Sequence, residues 1–240
     1  MPYQISINAQ ALRNNLELYD ASSPCVQESR TKHRQTTVSE TTVPHQGTTI
    51  SSERVIAGPV IFADASWKCR NVPGAEGRQL IGIGVFIRDD SVGRNWCIMI
   101  QASAAHEHSV FQAEARALLL AATIARIFDI SGPTFLTDNQ VLAKTAASRK
   151  LDHHLLEWNA RNSLANFFDV TSNTAPQVFH ISRNLNGVAH KCAAQVLRRS
   201  LNTPIYACSS SAHSQETCPV ISILKNVNLH DFVLNAAWCT

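Results

Sequence analysis

Val110–Ile127 reads VFQAEARALLLAATIARI. Ala and Leu, both strong helix formers, dominate it. Phe111, Leu118, Ala121 and Ala125 recur at helical spacing along one stripe. Ser109, with Gln112 three residues on, forms a capping box at its start. Ser131-Gly132-Pro133 closes the unit. One residue breaks the apolar pattern, because Glu114 lies on the stripe about one turn in. A carboxylate there is costly unless it is paired or holds a metal ion. The plainer reading places it at the helix rim, paired with Arg116, Arg126 or a backbone donor.

Three short apolar runs precede this helix: Pro59–Asp64 (PVIFAD), Leu80–Ile87 (LIGIGVFI) and Trp96–Ala102 (WCIMIQA). Turn chemistry at Pro73-Gly74, Asp89-Asp90 and Gly93 separates them, which predicts an antiparallel meander. The glycines of the second run predict close backbone approach. After the helix come a strand at Thr134–Asp138, helices at Val141–Ala147 and His154–Phe168, a strand at Gln177–Ile181 and a last helix at Gly187–Arg199. The order βββαβααβα predicts an α/β domain over residues 55–200. Its five-stranded mixed sheet has three antiparallel and then parallel strands, with helices on both faces.

The flanks read differently. Between Thr31 and Ser52 the only aliphatic residues are Val38, Val43 and Ile50, too few to offset the ordering entropy. Residues 1–54 are therefore expected to be mostly disordered, with a short helix around Leu12, Leu16 and Leu18. Residues 201–240 carry Ser, Thr, Asn and Cys without clear period. The sequence leaves open whether this tail packs on the domain.

Of 240 residues, 45% are hydrophobic and 16% charged, with a formal net charge of +3. This mild basicity permits a polyanionic partner without requiring one. Seven cysteines, at 25, 69, 97, 192, 208, 218 and 239, include no C-x-x-C pair. That argues against a closed disulfide framework and, more strongly, against a zinc ribbon. Free thiols imply a reducing compartment. The N-terminus lacks a basic segment followed by an apolar one, and no apolar run approaches the ~20 residues that span a bilayer. The expectation is a monomer in the nucleus or cytoplasm, away from membranes.

Two further acids matter by position. Asp64 closes the first predicted strand and Asp138 the fourth. Singly, each also reads as a turn residue. Together with Glu114 they can converge on one edge of a sheet, where carboxylates repel and require cations. Hard oxygen ligands select Mg²⁺ or Mn²⁺. Two such ions about 3.5–4 Å apart can activate a water and hold both oxygens of an in-line phosphodiester displacement.

Asp64-Ala65-Ser66-Trp67, Gly82-Ile83-Gly84-Val85, Ala113-Glu114-Ala115, Thr137-Asp138-Asn139 and Arg183-Asn184-x-Asn186-x-x-Ala189-His190 follow one another in the chain. Over residues 58–200 this succession resembles ribonuclease H. It is most similar to the reverse-transcriptase-like ribonuclease H domains of plant non-LTR retrotransposons. Retroviral-type integrases share the fold but place their Glu last. The resemblance implies a hydrolase of the RNA strand of RNA–DNA hybrids, dependent on two divalent ions.

Asp64, Glu114 and Asp138 match the family's first three carboxylates. Its fourth acid follows Ala189, where this chain has His190. Imidazole suits Mg²⁺ poorly and Mn²⁺ or Zn²⁺ better. His190 also reads as a residue that packs or caps at the start of the last helix. Ser66, Asn139 and Gln140 flank the acids and could meet the sugars or base edges of a hybrid minor groove. Capping of the following helix is the alternative for the last two. Trp67 reads as a stacking platform or as core. Lys144, Arg149, Lys150, Arg183, Lys191, Arg198 and Arg199 are candidates for phosphate contacts, two or three of which are expected to matter. His106-x-His108 and His153-His154 lack partners at metal-ligand spacing. The competing reading is a transposon-derived nucleic-acid-binding domain with impaired catalysis, favoured by His190 and by the lack of a reverse-transcriptase domain in the chain. A scaffold using the Ser/Thr-rich N-terminal region is a third.

Limited proteolysis should cut residues 21–53 first and leave a stable fragment starting near residue 55. A protease-resistant N-terminal segment would contradict the expectation for 1–54.

Overall fold

The computed structural model describes residues 49–50, 58–68, 80–89, 96–105, 109–151, 158–174, 176–198, 203–210 and 213–240. The strands are β1 (Thr49–Ile50), β2 (Val60–Lys68), β3 (Leu80–Asp89), β4 (Trp96–Ala105), β5 (Thr134–Thr137), β6 (Gln177–Ile181), β7 (Ile205–Cys208) and β8 (Val233–Cys239). The helices are α1 (Val110–Ile127), α2 (Gln140–Ser148), α3 (Arg161–Val170), α4 (Gly187–Arg198) and α5 (Pro219–Asn226). Contacts divide the chain between Val43 and Pro44, and every described residue belongs to the second unit.

The predicted meander is present, with β2, β3 and β4 pairing antiparallel. β5 then joins β2 in parallel, and β6 joins β5 in parallel. This is the mixed sheet expected of a ribonuclease H-like domain, but among the described residues the sheet has eight strands rather than five, in the order β1-β6-β5-β2-β3-β4-β8-β7. Two of the extra strands come from the segment whose packing the sequence left open. β8 covers the free edge of β4, and β7 pairs outside it. Six consecutive residues of β8, Leu234 to Cys239, are buried. A strand covered on both faces shows no alternation, which is why no period was legible there. The third extra strand lies within residues 1–54, where disorder was expected. Thr49 and Ile50 pair in parallel with His180 and Ile181 on the open edge of β6, and Thr49 Oγ1 is 2.8 Å from His180 Nδ1. Residues 1–48 and 51–54, and the helix expected around Leu12, Leu16 and Leu18, lie outside the described residues.

α1 begins with the capping box read from the sequence. Gln112 N–H donates to Ser109 Oγ (3.2 Å), and Ser109 N–H donates to Gln112 Oε1 (3.1 Å). Burial extends beyond the expected stripe, since nearly every residue from Gln112 to Ala125 is inside. The helix lies on β2 and β3 and is flanked by α3. A helix apolar all round is a helix covered all round. Its Leu118, Leu120 and Ile124 pack with Ile61, Ile83 and Phe135 of the sheet in the main core.

α4 covers the opposite face, lying on β3 and β2. A Cβ on Gly84 would lie 2.0 Å from the Ala189 carbonyl oxygen, and one on Gly82 would lie 2.2 Å from that of Ala193. The close approach read from the glycines of β3 is therefore to a helix backbone. No described helix is long and apolar enough to cross a membrane.

Gly84→Ala should force α4 off the sheet and cost about 1–3 kcal/mol, the usual range for overpacking. Gly187→Ala, where nothing lies within 4 Å of the added carbon, should be neutral or stabilising because alanine favours the helix. Chemical denaturation of the two variants checks the contrast.

Candidate active site

Phe62 of β2 stands level with Leu136 of β5 in the parallel pair. Two residues further along each chain come Asp64 and Asp138. β5 ends at Thr137, whereas β2 continues to Lys68 against β3. Asp64 therefore does not close its strand, as the sequence suggested. It sits mid-strand at the point where the parallel partner leaves. Asp64 is paired directly with Gly84, and cross-strand partners point to one face, so its side chain shares the face on which α4 lies. Glu114 reaches the same point from the first turns of α1.

One carboxylate oxygen from each of Asp64, Glu114 and Asp138 lies within 4.8 Å of the others. That is inside the about 8 Å beyond which ions spaced for a two-metal site could not be shared. Asp64 is 1% and Glu114 7% exposed, while Asp138 is half-buried. Burial pushes the Asp64 carboxyl up from 3.8 to about 6, with the charge of Asp138 adding to the rise and the His190 hydrogen bond opposing it. Burial also holds Glu114 well above the usual carboxylate range, reinforced by Asp64 and Asp138 and opposed by the Ala65 backbone N–H. Glu114 Oε2 is buried with no hydrogen-bond partner. Of the partners in the plainer reading, the backbone donor is present as the Ala65 N–H, while neither Arg116 nor Arg126 is among the groups that act on Glu114. Arg116 lies over the Phe232 ring and Arg126 is exposed.

His190 stands beside this group, its Nδ1 2.9 Å from Asp64 Oδ2. Arg183 Nη2 is 3.4 Å from both ring nitrogens, and so is aimed at neither lone pair. Asn186, quoted among the sequence motifs without a role, is fully buried. Its Nδ2 donates to the Ala63 carbonyl at 3.0 Å, which ties the start of α4 to the residue before Asp64. Its Oδ1 has no partner. The signal for this positioning role was an Asn immediately before the predicted last helix.

The remaining candidates are spread out. Ser66 is half-buried two residues beyond Asp64 on the same strand face. Asn139 caps α2, its Oδ1 accepting from Leu142 N–H at 3.0 Å. Gln140 and Lys144 are exposed on the first turns of α2, and Arg183, Lys191 and Arg198 are exposed around α4. Arg149 is engaged elsewhere, donating to the Phe168 carbonyl at 2.6 Å and lying over the Phe168 ring. Trp67 packs against the main core, in keeping with its plainer reading. His106, His108, His153, His154 and Arg199 lie outside the described residues.

Three converging carboxylates, two of them buried and one with an orphaned oxygen, have the chemistry that a hard cation requires. An all-oxygen ligand set suits Mg²⁺ or Mn²⁺, so the residues present fit such ions.

The profile of a family described as reverse transcriptase-like matches residues 71–196, more than half of the chain. No curated protein matches. Among solved structures, the chain is similar to ribonuclease H1 from the halophilic archaeon Halobacterium salinarum NRC-1. The identity is 16%, over 58% of this chain and 97% of that one, with a TM-score of 0.42. It is also similar to LC11 ribonuclease H1, isolated from compost and solved with an RNA/DNA hybrid, at 20% identity over 58% of this chain and 99% of that one, with a TM-score of 0.41. A foamy viral protease-reverse transcriptase solved with RNA/DNA hybrid shares 16% identity over 73% of this chain and 23% of that one, with a TM-score of 0.45. With the profile matched over residues 71–196, a span that holds Glu114 and Asp138 and begins after Asp64, this chain belongs to the reverse transcriptase-like family.

Proposed function

We propose that this chain is a divalent-metal-dependent endonuclease of the ribonuclease H type, hydrolysing the RNA strand of RNA–DNA hybrids. One observation carries the reading: three carboxylates from β2, α1 and the end of β5 share one point, two of them buried, with an oxygen of Glu114 unpartnered. The order of the acids, strand then helix then strand, supports ribonuclease H over integrase-type relatives. The motifs around Asp64, Asp138 and Asn186 further support placing the chain with the plant non-LTR retrotransposon group.

In this reading Asp64, Glu114 and Asp138 hold Mg²⁺ or Mn²⁺. Bound divalent ions supply a nucleophilic water at neutral pH and charge stabilisation for an in-line displacement at phosphorus. The chain's own residues do the rest. His190 hydrogen-bonds Asp64 and orients its carboxylate, and it stands where relatives carry a fourth acid. Asn186 fixes the β2 backbone beside it. Exposed Gln140, Lys144 and Arg183 lie on the elements that follow Asp138 and precede His190, where they can meet the sugars and phosphates of a hybrid. Recognition would follow hybrid shape and the 2′-hydroxyl, with little sequence readout.

A second reading, a binding domain with impaired catalysis, is favoured by His190. Three carboxylates carry less negative charge than four, so Mg²⁺ should bind more weakly than in relatives with the fourth acid. Hybrid cleavage should therefore be faster in Mn²⁺ than in Mg²⁺, and His190→Asp should shift the preference towards Mg²⁺. Asp64→Asn should lower cleavage in both metals by about a hundredfold or more, the scale of a lost electrostatic stabiliser, while hybrid binding survives through the basic residues. Labelled hybrid incubated with each ion, with and without chelator, measures this. If the protein binds hybrid but cuts in neither metal, and His190→Asp does not rescue cleavage, the binding reading replaces the enzyme one.

The raised carboxyls also make the metal-free protein sensitive to pH. A carboxyl whose folded pKa lies above its unfolded one binds more protons in the folded state, so stability falls as pH rises through that interval. For Asp64 the fall starts near 3.8 and runs through about 6, and Glu114 extends it to higher pH. In chelator, the melting temperature should decline across this window. Added Mn²⁺ should restore it at neutral pH and have little effect near pH 4. Asp64→Asn should flatten the decline.

A further inference from the structure

The C-terminal strands bring together a second group of ligands that the proposed activity does not use. Cys208, His213, Cys218 and Cys239 each offer one ligand atom, and all four atoms lie within 4.8 Å of one another. His213 Nε2 is 3.2 Å from Cys218 Sγ and 3.7 Å from Cys239 Sγ. In a tetrahedral site with Zn–S about 2.3 Å and Zn–N about 2.0 Å, ligand atoms stand about 3.5–3.8 Å apart. The group thus has the dimensions of one four-coordinate ion.

The fold explains the convergence. Cys208 and Cys239 are direct partners at the ends of the parallel strands β7 and β8, so their side chains project from one face. The chain leaving β7 supplies His213, and Cys218 stands immediately before α5 with no side-chain cap bond of its own. The Ser210 backbone N–H reaches the Cys208 sulfur.

We infer that Cys208, His213, Cys218 and Cys239 form a structural zinc site that fastens β7 and the start of α5 to β8. Thiolate and imidazole ligands select zinc over the hard ions suited to the carboxylates. Three thiol protons are released to solvent as the ion binds. A disulfide between any two of the cysteines would leave the third thiol and the imidazole in contact without a role, whereas one metal ion uses all four. Beside the four ligands the local apolar neighbours are Ile221, Tyr206 and Val220, while Leu224, Leu234 and Ala237 of the same segment join the main core. The absence of a C-x-x-C pair argued against a zinc ribbon from the sequence. Here three separate segments supply the ligands, in the spacing C-x4-H-x4-C-x20-C.

The test uses the full chain, purified under reducing conditions from zinc-supplemented culture. Elemental analysis should give about one zinc per chain, the content of a single four-coordinate site. Asp64→Asn and Cys97→Ser should keep that zinc, and Cys218→Ser and Cys239→Ser should lose it. Because a ligand variant can fail to fold, wild-type protein is also stripped and titrated with Co²⁺. Tetrahedral ligand-field bands and a thiolate-to-cobalt charge-transfer band should saturate at one equivalent. His213→Cys should keep the bands and strengthen the charge transfer, as a fourth thiolate requires. Substoichiometric zinc with no thiolate-to-cobalt band would overturn the proposal. So would a disulfide joining any two of these cysteines in protein handled without oxygen, or zinc lost in Asp64→Asn and retained in Cys218→Ser.

Discussion

The Ala189 carbonyl occupies the space that a side chain at position 84 would fill. This contact sets the depth at which α4 rests on the sheet. One turn either way along the helix stand Asn186 and Cys192, and beside Ala189 stands His190. With α4 held this low, Asn186 reaches the Ala63 carbonyl and His190 reaches Asp64. A methyl group on the strand would lift the helix and withdraw both. Two glycines in β3 thus weaken the strand locally and allow the second face of the sheet to carry polar groups to the site.

Those polar groups meet a cluster of acids that the protein core disfavours. Burial and mutual repulsion raise Asp64 and Glu114 together, opposed by His190 at Asp64, the Ala65 backbone N–H at Glu114 and the charge of Arg183 at both. The surrounding scaffold overcomes this local cost. α1 is buried almost throughout its length, and β2 is paired on both sides up to the level of Leu136. The instability is thus confined to the spot where β5 ends, which is also where a cation would relieve it.

The far side of the sheet solves a different problem. β4 would expose an edge of ten residues, a template for unwanted strand pairing. β8 covers it and β7 forms the new, shorter edge. The two ligand clusters have opposite chemistry, oxygen in one and sulfur with nitrogen in the other, so each would select its own kind of ion.

The local patterns were legible because they depend on neighbours in sequence. Helical spacing and a capping box located α1, and β6 was read with its observed limits. Alternating turn chemistry predicted the meander, and an acid on an apolar stripe singled out Glu114. Asp64 and Asp138 were visible as acids after apolar runs, but the same cue misplaced the end of β2, because pairing with β3 and not local composition carries that strand to Lys68. What only the tertiary structure decided involves partners far apart in the chain. His190 meets Asp64 across 126 positions, Cys239 meets His213 across 26, and β8 finds its place only because β4 leaves an edge open. Periodicity reports which face of an element is apolar. It cannot report which distant element covers that face, since that choice rests on shape and on hydrogen bonds that form only when the chain has closed on itself.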